Sequence, residues 1–395
     1  MLKIFLVPLA ILITSTLYAQ EYDFFHPIGG MEGITGNTGI GRDGSIGSVF
    51  YNPAGLARFK TSKVSASGSA FSRNEIKLDG QGISEKMSNT LTTPAQITSA
   101  FHREKFNWAF SILVPKNMSF KYKIEREDSD LGQVLTLNGE SSTQETLFGP
   151  SIAYKLTPKF KIGLSLFGSL RDEKNNSMTF FDDGVDKYLR YYESNSSAIS
   201  LFPLIGFLYT PSSHFSLGLR LSGPSVQVSG TEESRNSEIL DGNQASDEDY
   251  VNDINYQRPV NLGFGAHYKF MNRSRVLFDV TTQFKNKYEI YNGEGSNDEE
   301  LMMFYKVAHR FSSGFEYRTS QTDAICLGLS YTQAHEEDDL DYIGGTIGYR
   351  SIEKIADTSL GIYFNRGSSS EDGLKTSHFV YGLFISTSIS FLEKI

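Results

Sequence analysis

Apolar and polar residues alternate one by one along most of this chain. Phe215, Leu217, Leu219 and Leu221 interleave with Ser216, Gly218, Arg220 and Ser222. Ile325, Leu327, Leu329 and Tyr331 interleave with Cys326, Gly328 and Ser330. The same holds for Val276, Phe278 and Val280 against Asp279 and Thr281, and for Leu262, Phe264, Ala266 and Tyr268 against Gly263, Gly265 and His267. Near the end, Phe379, Tyr381, Leu383, Ile385 and Ile389 repeat the pattern with Gly382, Ser386 and Ser388. Period two marks a strand whose faces meet different surroundings. These runs reach about ten residues, enough for a tilted strand to cross hydrocarbon. Beyond about residue 60 there is no long amphipathic helix pattern.

Counting such runs predicts about 14 strands. They fall near 62–73, 93–103, 106–114, 142–156, 159–172, 193–210, 213–223, 254–270, 275–288, 301–318, 323–334, 340–351, 356–366 and 376–391. Short connections (Glu104-Lys105, Thr157-Pro158, Pro211-Ser212) alternate with longer polar ones at 74–92, 115–141, 173–192, 224–253, 289–300 and 367–375. That alternation is the plan of an outer-membrane barrel, with short periplasmic turns and longer extracellular loops. The long loops are acidic, as at Asp247-Glu248-Asp249, and read as solvated surface.

Composition narrows the class. A chain of 395 residues with 37 basic and 46 acidic side chains lacks the basic face that a nucleic-acid binder needs. One cysteine excludes an intrachain disulfide framework. No internal apolar run approaches the ~20 residues of a membrane helix. Strands this long, with Gly and Ser on one face, fit a wall better than a soluble sandwich, and in lipid the sheet must close to pair its backbone. The expected fold is all-β, a transmembrane antiparallel barrel. Its apolar face then looks outward, with Trp108, Tyr154, Tyr268 and Tyr317 as girdle candidates. Arg220, His267, Lys269, Asp279, Arg310, Glu316 and Arg318 would point into the lumen. They would form either a salt-bridged filling or a contact for a carboxylate headgroup.

The first 60 residues behave differently. Residues 1–19 read as a secretory signal: Lys3, the apolar Ile4–Ile13, then Leu17-Tyr18-Ala19 as cleavage site. Residues 20–60 do not alternate. They hold Phe24-Phe25, a Gly-rich stretch from Gly29 to Gly47, and Tyr51-Asn52-Pro53-Ala54-Gly55-Leu56-Ala57. Glycines permit tight turns in a crowded lumen, and Asn before Pro starts a turn well. At this position, with about 14 strands following, the Asn52-Pro53-Ala54 element resembles that of the FadL/TodX outer-membrane transporters. The resemblance implies a hatch over residues 20–60 that plugs a barrel at 61–395. It also implies uptake of long-chain fatty acids or other hydrophobic compounds. The family's barrel usually closes on a terminal aromatic, whereas Phe391 is followed by Leu392-Glu393-Lys394-Ile395. The family's lateral wall opening involves a kink in an early strand. The third strand here, Phe106 to Val114, has no glycine to mark one, and Pro115 is expected only to end it.

Catalytic motifs are absent. The seven histidines show no helical zinc spacing, and HExxH and Gly-x-Ser-x-Gly do not occur. The resemblance implies passive transport rather than catalysis, and no cofactor or metal is expected. Ligand contacts are expected at Leu131, Val134 and Leu135 in an extracellular groove, and at Phe24, Phe25 and Ile28 beneath the hatch. Expected partners are the hydrophobic ligand, outer-membrane lipids and the barrel assembly machinery, for a monomer in the bacterial outer membrane. Two rivals predict other behaviour. A diffusion porin would conduct steadily, and a surface adhesion or receptor barrel would work through its loops.

Overall fold

The computed structural model describes residues 26–80, 83–128, 133–289, 302–334, 340–371 and 374–391. The signal segment, Phe24, Phe25 and Leu131 lie outside the described residues. Eighteen strand segments occur: β1 Lys63–Gly80, β2 Ile83–Arg103, β3 Phe106–Asp128, β4 Gln133–Lys155, β5 Phe160–Asp182, β6 Lys187–Tyr209, β7 Phe215–Ser222, β8 Val226–Leu240, β9 Asn243–Asp253, β10 Asn261–Lys269, β11 Arg275–Gln283, β12 Asn286–Glu289, β13 Met302–Tyr305, β14 Ala308–Arg318, β15 Asp323–Thr332, β16 Asp341–Ile352, β17 Ala356–Glu371 and β18 Leu374–Ser390. Fourteen of them form a closed antiparallel ring, β1 to β7, β10, β11 and β14 to β18, sealed by β18 against β1. Closure leaves no ladder edge facing lipid around that circuit, which disposes of the sandwich alternative. Segments β8 and β9 extend the sheet above β7: β8 takes the upper edge of β6 from Tyr188 to Leu201, where β7 no longer reaches.

The strand count matches the alternation, but the long loops were misplaced. Residues 74–92, 115–141, 173–192 and 367–375 are largely strand among the described residues, continuing the strands on either side. Segment 224–253 is mostly the hairpin β8–β9, while 254–260 precedes β10 instead of belonging to it. Strands β3 to β6 each run 23 residues, about 75 Å along the strand. A bilayer takes only about 9–11 residues of a tilted strand, so the upper halves stand outside it.

The lipid-facing band agrees with that length. Phe106, Trp108, Phe110 and Ile112 on β3, and Leu164, Leu166 and Leu170 on β5, are exposed outward, while Asn107, Ala109, Ser111, Ser165 and Ser169 are buried inward. Aromatic pairs gather at the short-turn end, with Phe101 and Trp108 stacked at 4.2 Å and Phe106 beside Tyr154 at 4.6 Å. Tyr268 and Tyr317 are exposed near the same end. Aromatic side chains favour this interfacial depth.

The segment before β1 packs against the inner face of the ring. It holds two single helical turns, α1 Met31–Ile34 and α2 Ser48–Tyr51, and a 3-10 helix at Pro53–Arg58. Almost every residue from His26 to Leu56 is buried.

Candidate functional site

Asn52 organises the N-terminal segment. Its Oδ1 accepts from the Ala54 N–H at 3.2 Å, opening the 3-10 turn, with Pro53 at the first helical position where no N–H is needed. Its Nδ2 donates to the Ile40 carbonyl at 2.7 Å and to the Phe207 carbonyl of β6 at 3.0 Å. One amide therefore ties the segment to itself and to the wall. Further bonds spread around the ring. Asp279 accepts from the Gly39 and Ile40 N–H groups at 2.6 and 2.9 Å. Ser216 and Ser165 donate to the Gly41 and Val49 carbonyls, both at 2.7 Å, and Asn107 donates to Leu56 at 2.6 Å.

The close approach depends on small residues of the wall. Gly163 faces Gly206, Gly218 faces Gly265, and Gly314 faces Gly328 across neighbouring strands. A Cβ at any of these six would collide with the segment. Their position on the inner face was visible as alternating glycines in the sequence, yet their use as a seat was not read from it.

The charged lumen residues sort into two groups. Arg220, Asp279 and Arg310 surround a small cavity that Asn37, Ile40 and Tyr51 also line. Arg220 lies 5.4 Å from the Phe50 ring centre, and burial pushes the Tyr51 phenol above its ordinary range. Nearer the short turns, Glu316 meets Arg318 at 2.9 Å and Arg350 at 3.1 Å. His267 is buried, and Lys269 is partly exposed at the end of β10. Cys326 is a buried free thiol opposite Glu316 in register.

The ligand candidates divide likewise. Ile28 is fully buried in a cluster with Val49, Phe50, Leu56, Phe167 and Phe202. Val134 and Leu135 sit on β4, not in a loop. Leu135 belongs to an apolar lining with Ile76, Met118, Phe120, Tyr122, Ile124, Leu137, Tyr342 and Val380. Sequence reading missed most of this lining because it lies in the stretch taken for loop.

The lining arises from a change of facing. In β3 the even-numbered residues look outward up to Ile112; from Met118 to Ile124 they look inward, with Lys121, Lys123 and Glu125 outside. The β3–β4 register slips between Leu113 and Lys116, around Pro115. One extra residue reverses every side chain beyond it. Proline therefore does not end the strand, as expected from sequence, but sits in a bulge within it. Strand β1 reverses beside its own slip between Ser69 and Phe71, and β2 reverses at Ala95-Gln96.

At this height the wall is incomplete. Among the described residues the β2–β3 ladder stops at Gln96 and Leu113, while β2 stays with β1 and β3 with β4. His26 sits beside the break. Its Nε2 donates to the Asn117 carbonyl of β3 at 2.9 Å, and its Nδ1 lies 3.3 Å from the Tyr363 hydroxyl. Burial holds the His26 imidazole below its usual pKa. Asn117 also donates to the Thr93 hydroxyl of β2 at 3.0 Å, bridging the break through side chains.

Known proteins can be set beside this geometry. A family model described as outer membrane protein transport protein (OMPP1/FadL/TodX) matches residues 34–341. The crystal structure of the Pseudomonas putida toluene transporter TodX superposes with a TM-score of 0.71 at 15% identity, covering 94% of this chain and 100% of that one. The Ralstonia pickettii toluene transporter TbuX gives 0.68 at 16% identity, covering 94% and 100%. A Pseudomonas aeruginosa FadL homologue gives 0.68 at 12% identity, covering 92% and 100%. No curated protein matches the chain.

Proposed function

This chain belongs to the OMPP1/FadL/TodX family of outer-membrane transport proteins, and we propose that it carries long-chain fatty acids or other hydrophobic compounds passively across that membrane. The observation that carries the reading is the reversal of β1 to β3, which turns an apolar face from lipid to lumen above the bilayer. An inward apolar cluster in the part of the barrel beyond the bilayer offers the kind of surface that an apolar guest needs. Residues 20–60 act as a hatch below it, held by Asn52. Cargo leaves the chamber at the foot of the break between β2 and β3, once His26 and Asn117 let go, and enters the bilayer at its outer rim. Net flow follows the gradient. Arg220 and Arg310, beside Tyr51, suit the carboxylate of a fatty acid. The toluene transporters of the same fold make small aromatic hydrocarbons the other cargo class. The protein works as a monomer among outer-membrane lipids, inserted by the barrel assembly machinery.

Calorimetry on the detergent-purified protein tests this. Dodecanoate or toluene binds, and Phe120→Asp weakens binding by about tenfold or more by placing a charge in the apolar lining. A wild-type protein that binds neither compound overturns the proposal. Steady conductance with residues 20–60 in place would favour the porin instead.

A further inference from the structure

Four guanidinium groups converge on one carboxylate near the short-turn end of the lumen. Glu316 lies 2.9 Å from Arg318, 3.1 Å from Arg350, 3.6 Å from Arg275 and 3.9 Å from Arg42. Arg42 comes from the N-terminal segment, and the others come from β14, β16 and β11. Arg350 also binds Asp357 at 2.6 Å. Asp43, next in the chain to Arg42, is taken up by Arg58. Glu32 is buried and makes no ion pair among the described residues. Counting Glu316, Asp357 and even Glu32 against the four arginines leaves one positive charge over.

Burial makes that surplus costly, because an uncompensated charge away from water loses its solvation without a partner. Arg42 is the sharpest case. Its side chain is fully buried, Nη1 turns to the Met31 sulfur at 2.7 Å, and Nε and Nη2 have no hydrogen-bond partner. The Nε of Arg275 likewise lacks one, whereas that of Arg318 faces a Glu316 carboxylate oxygen at 2.9 Å. The cluster is not sealed: the side chains of Arg275 and Arg318 are 20% and 8% exposed. They stand at the ends of β11 and β14, beside the short turns that face the periplasm in such barrels.

We propose that Arg42, Arg275 and Arg318 form a carboxylate-binding site on the periplasmic side of the N-terminal segment, separate from the apolar chamber. Guanidinium forks match a carboxylate in plane and charge, and one monoanion cancels the surplus. Because Arg42 belongs to the N-terminal segment and the other two to the wall, an occupant bridges them. The carboxylate comes either from an amphipathic cargo or from a small acid of the periplasm. Only the first source rests on the transport reading above.

The test uses the full chain in detergent. Crystals soaked in bromide should show anomalous density among these three arginines, and acetate should raise the melting temperature. Arg275→Gln and Arg318→Gln should each weaken acetate binding by about tenfold. Arg318→Lys, which keeps the charge, should retain part of it, and Glu316→Gln should strengthen it. Decanoate and decanol then separate the sources. If Arg318→Gln weakens decanoate alone, the cargo supplies the group; if both are unaffected while acetate binding drops, a small acid does. Decanol binding reports on the chamber by itself. Absence of bromide density in the wild type, or acetate affinity unchanged in both glutamine variants, overturns the proposal.

Discussion

At the scale of single residues, Asn52 and His26 fasten the N-terminal segment. Removing the Asn52 amide orphans the buried carbonyl of Ile40 and the Ala54 N–H and takes one bond from the Phe207 carbonyl. Asn52→Ala should loosen the segment by about 2–4 kcal/mol, since each stranded polar group costs on the order of 1 kcal/mol or more. Amide exchange should quicken across residues 36–54 and stay slow in the strands; equal exchange in both proteins would show that the amide holds nothing. His26 gives a pH dependence. Its pKa in the folded chain lies below the ordinary 6.5 because burial disfavours the imidazolium. The unfastened state thus binds the proton more readily, so docking is strongest above about 6.5 and weakens as acid carries the pH down through the lowered value. The protection of the same amides, corrected for intrinsic exchange, should fall between neutral and acidic pH, and His26→Gln should flatten that fall. The Asn-Pro-Ala element was legible as a turn from sequence because proline and asparagine act locally. The partners of its amide were not, for they lie 155 positions away on β6.

At the scale of elements, β3 explains both the success and the failure of periodicity. Apart from Lys116, the even-numbered positions from Phe106 through Ile124 are apolar. Alternation found the lower half as a strand because that half meets lipid. It lost the upper half because Lys121, Lys123 and Glu125 made the stretch look like solvated loop, and because a bulge leaves no mark in a two-residue period. The glycines of the inner face were equally visible and equally ambiguous. The break between β2 and β3 is open to a direct trial. Thr93 and Asn117 touch across it, so cysteines at both positions should form a disulfide under oxidation. Uptake of a labelled fatty acid should drop in the oxidised form and return on reduction. Uptake indifferent to the cross-link would move the exit elsewhere.

At the scale of the molecule, strand number and facing were legible because lipid imposes one rule on every strand: outward apolar, inward polar. Leu327 illustrates it, exposed on the outer face of β15 beside buried Cys326. Leu327→Arg should lower the stability of the bilayer-inserted barrel by about 2–4 kcal/mol, measured by urea titration in lipid vesicles. A neutral result would mean that this face does not meet acyl chains. The hairpin extensions, the two-sided register of β1 to β3 and the seat for the N-terminal segment all depend on contacts between distant strands, so they surfaced only with the fold. Finally, the seam joins the earliest strand to the latest, with Lys63 opposite Ser390 and Asp79 opposite Lys375. Until the ribosome has finished the closing stretch, the sheet carries two raw borders that hydrocarbon will not tolerate. Export must therefore hand over a still-unfolded polypeptide that includes β18, and a chain cut short before it leaves not a narrower pore but waste for proteases.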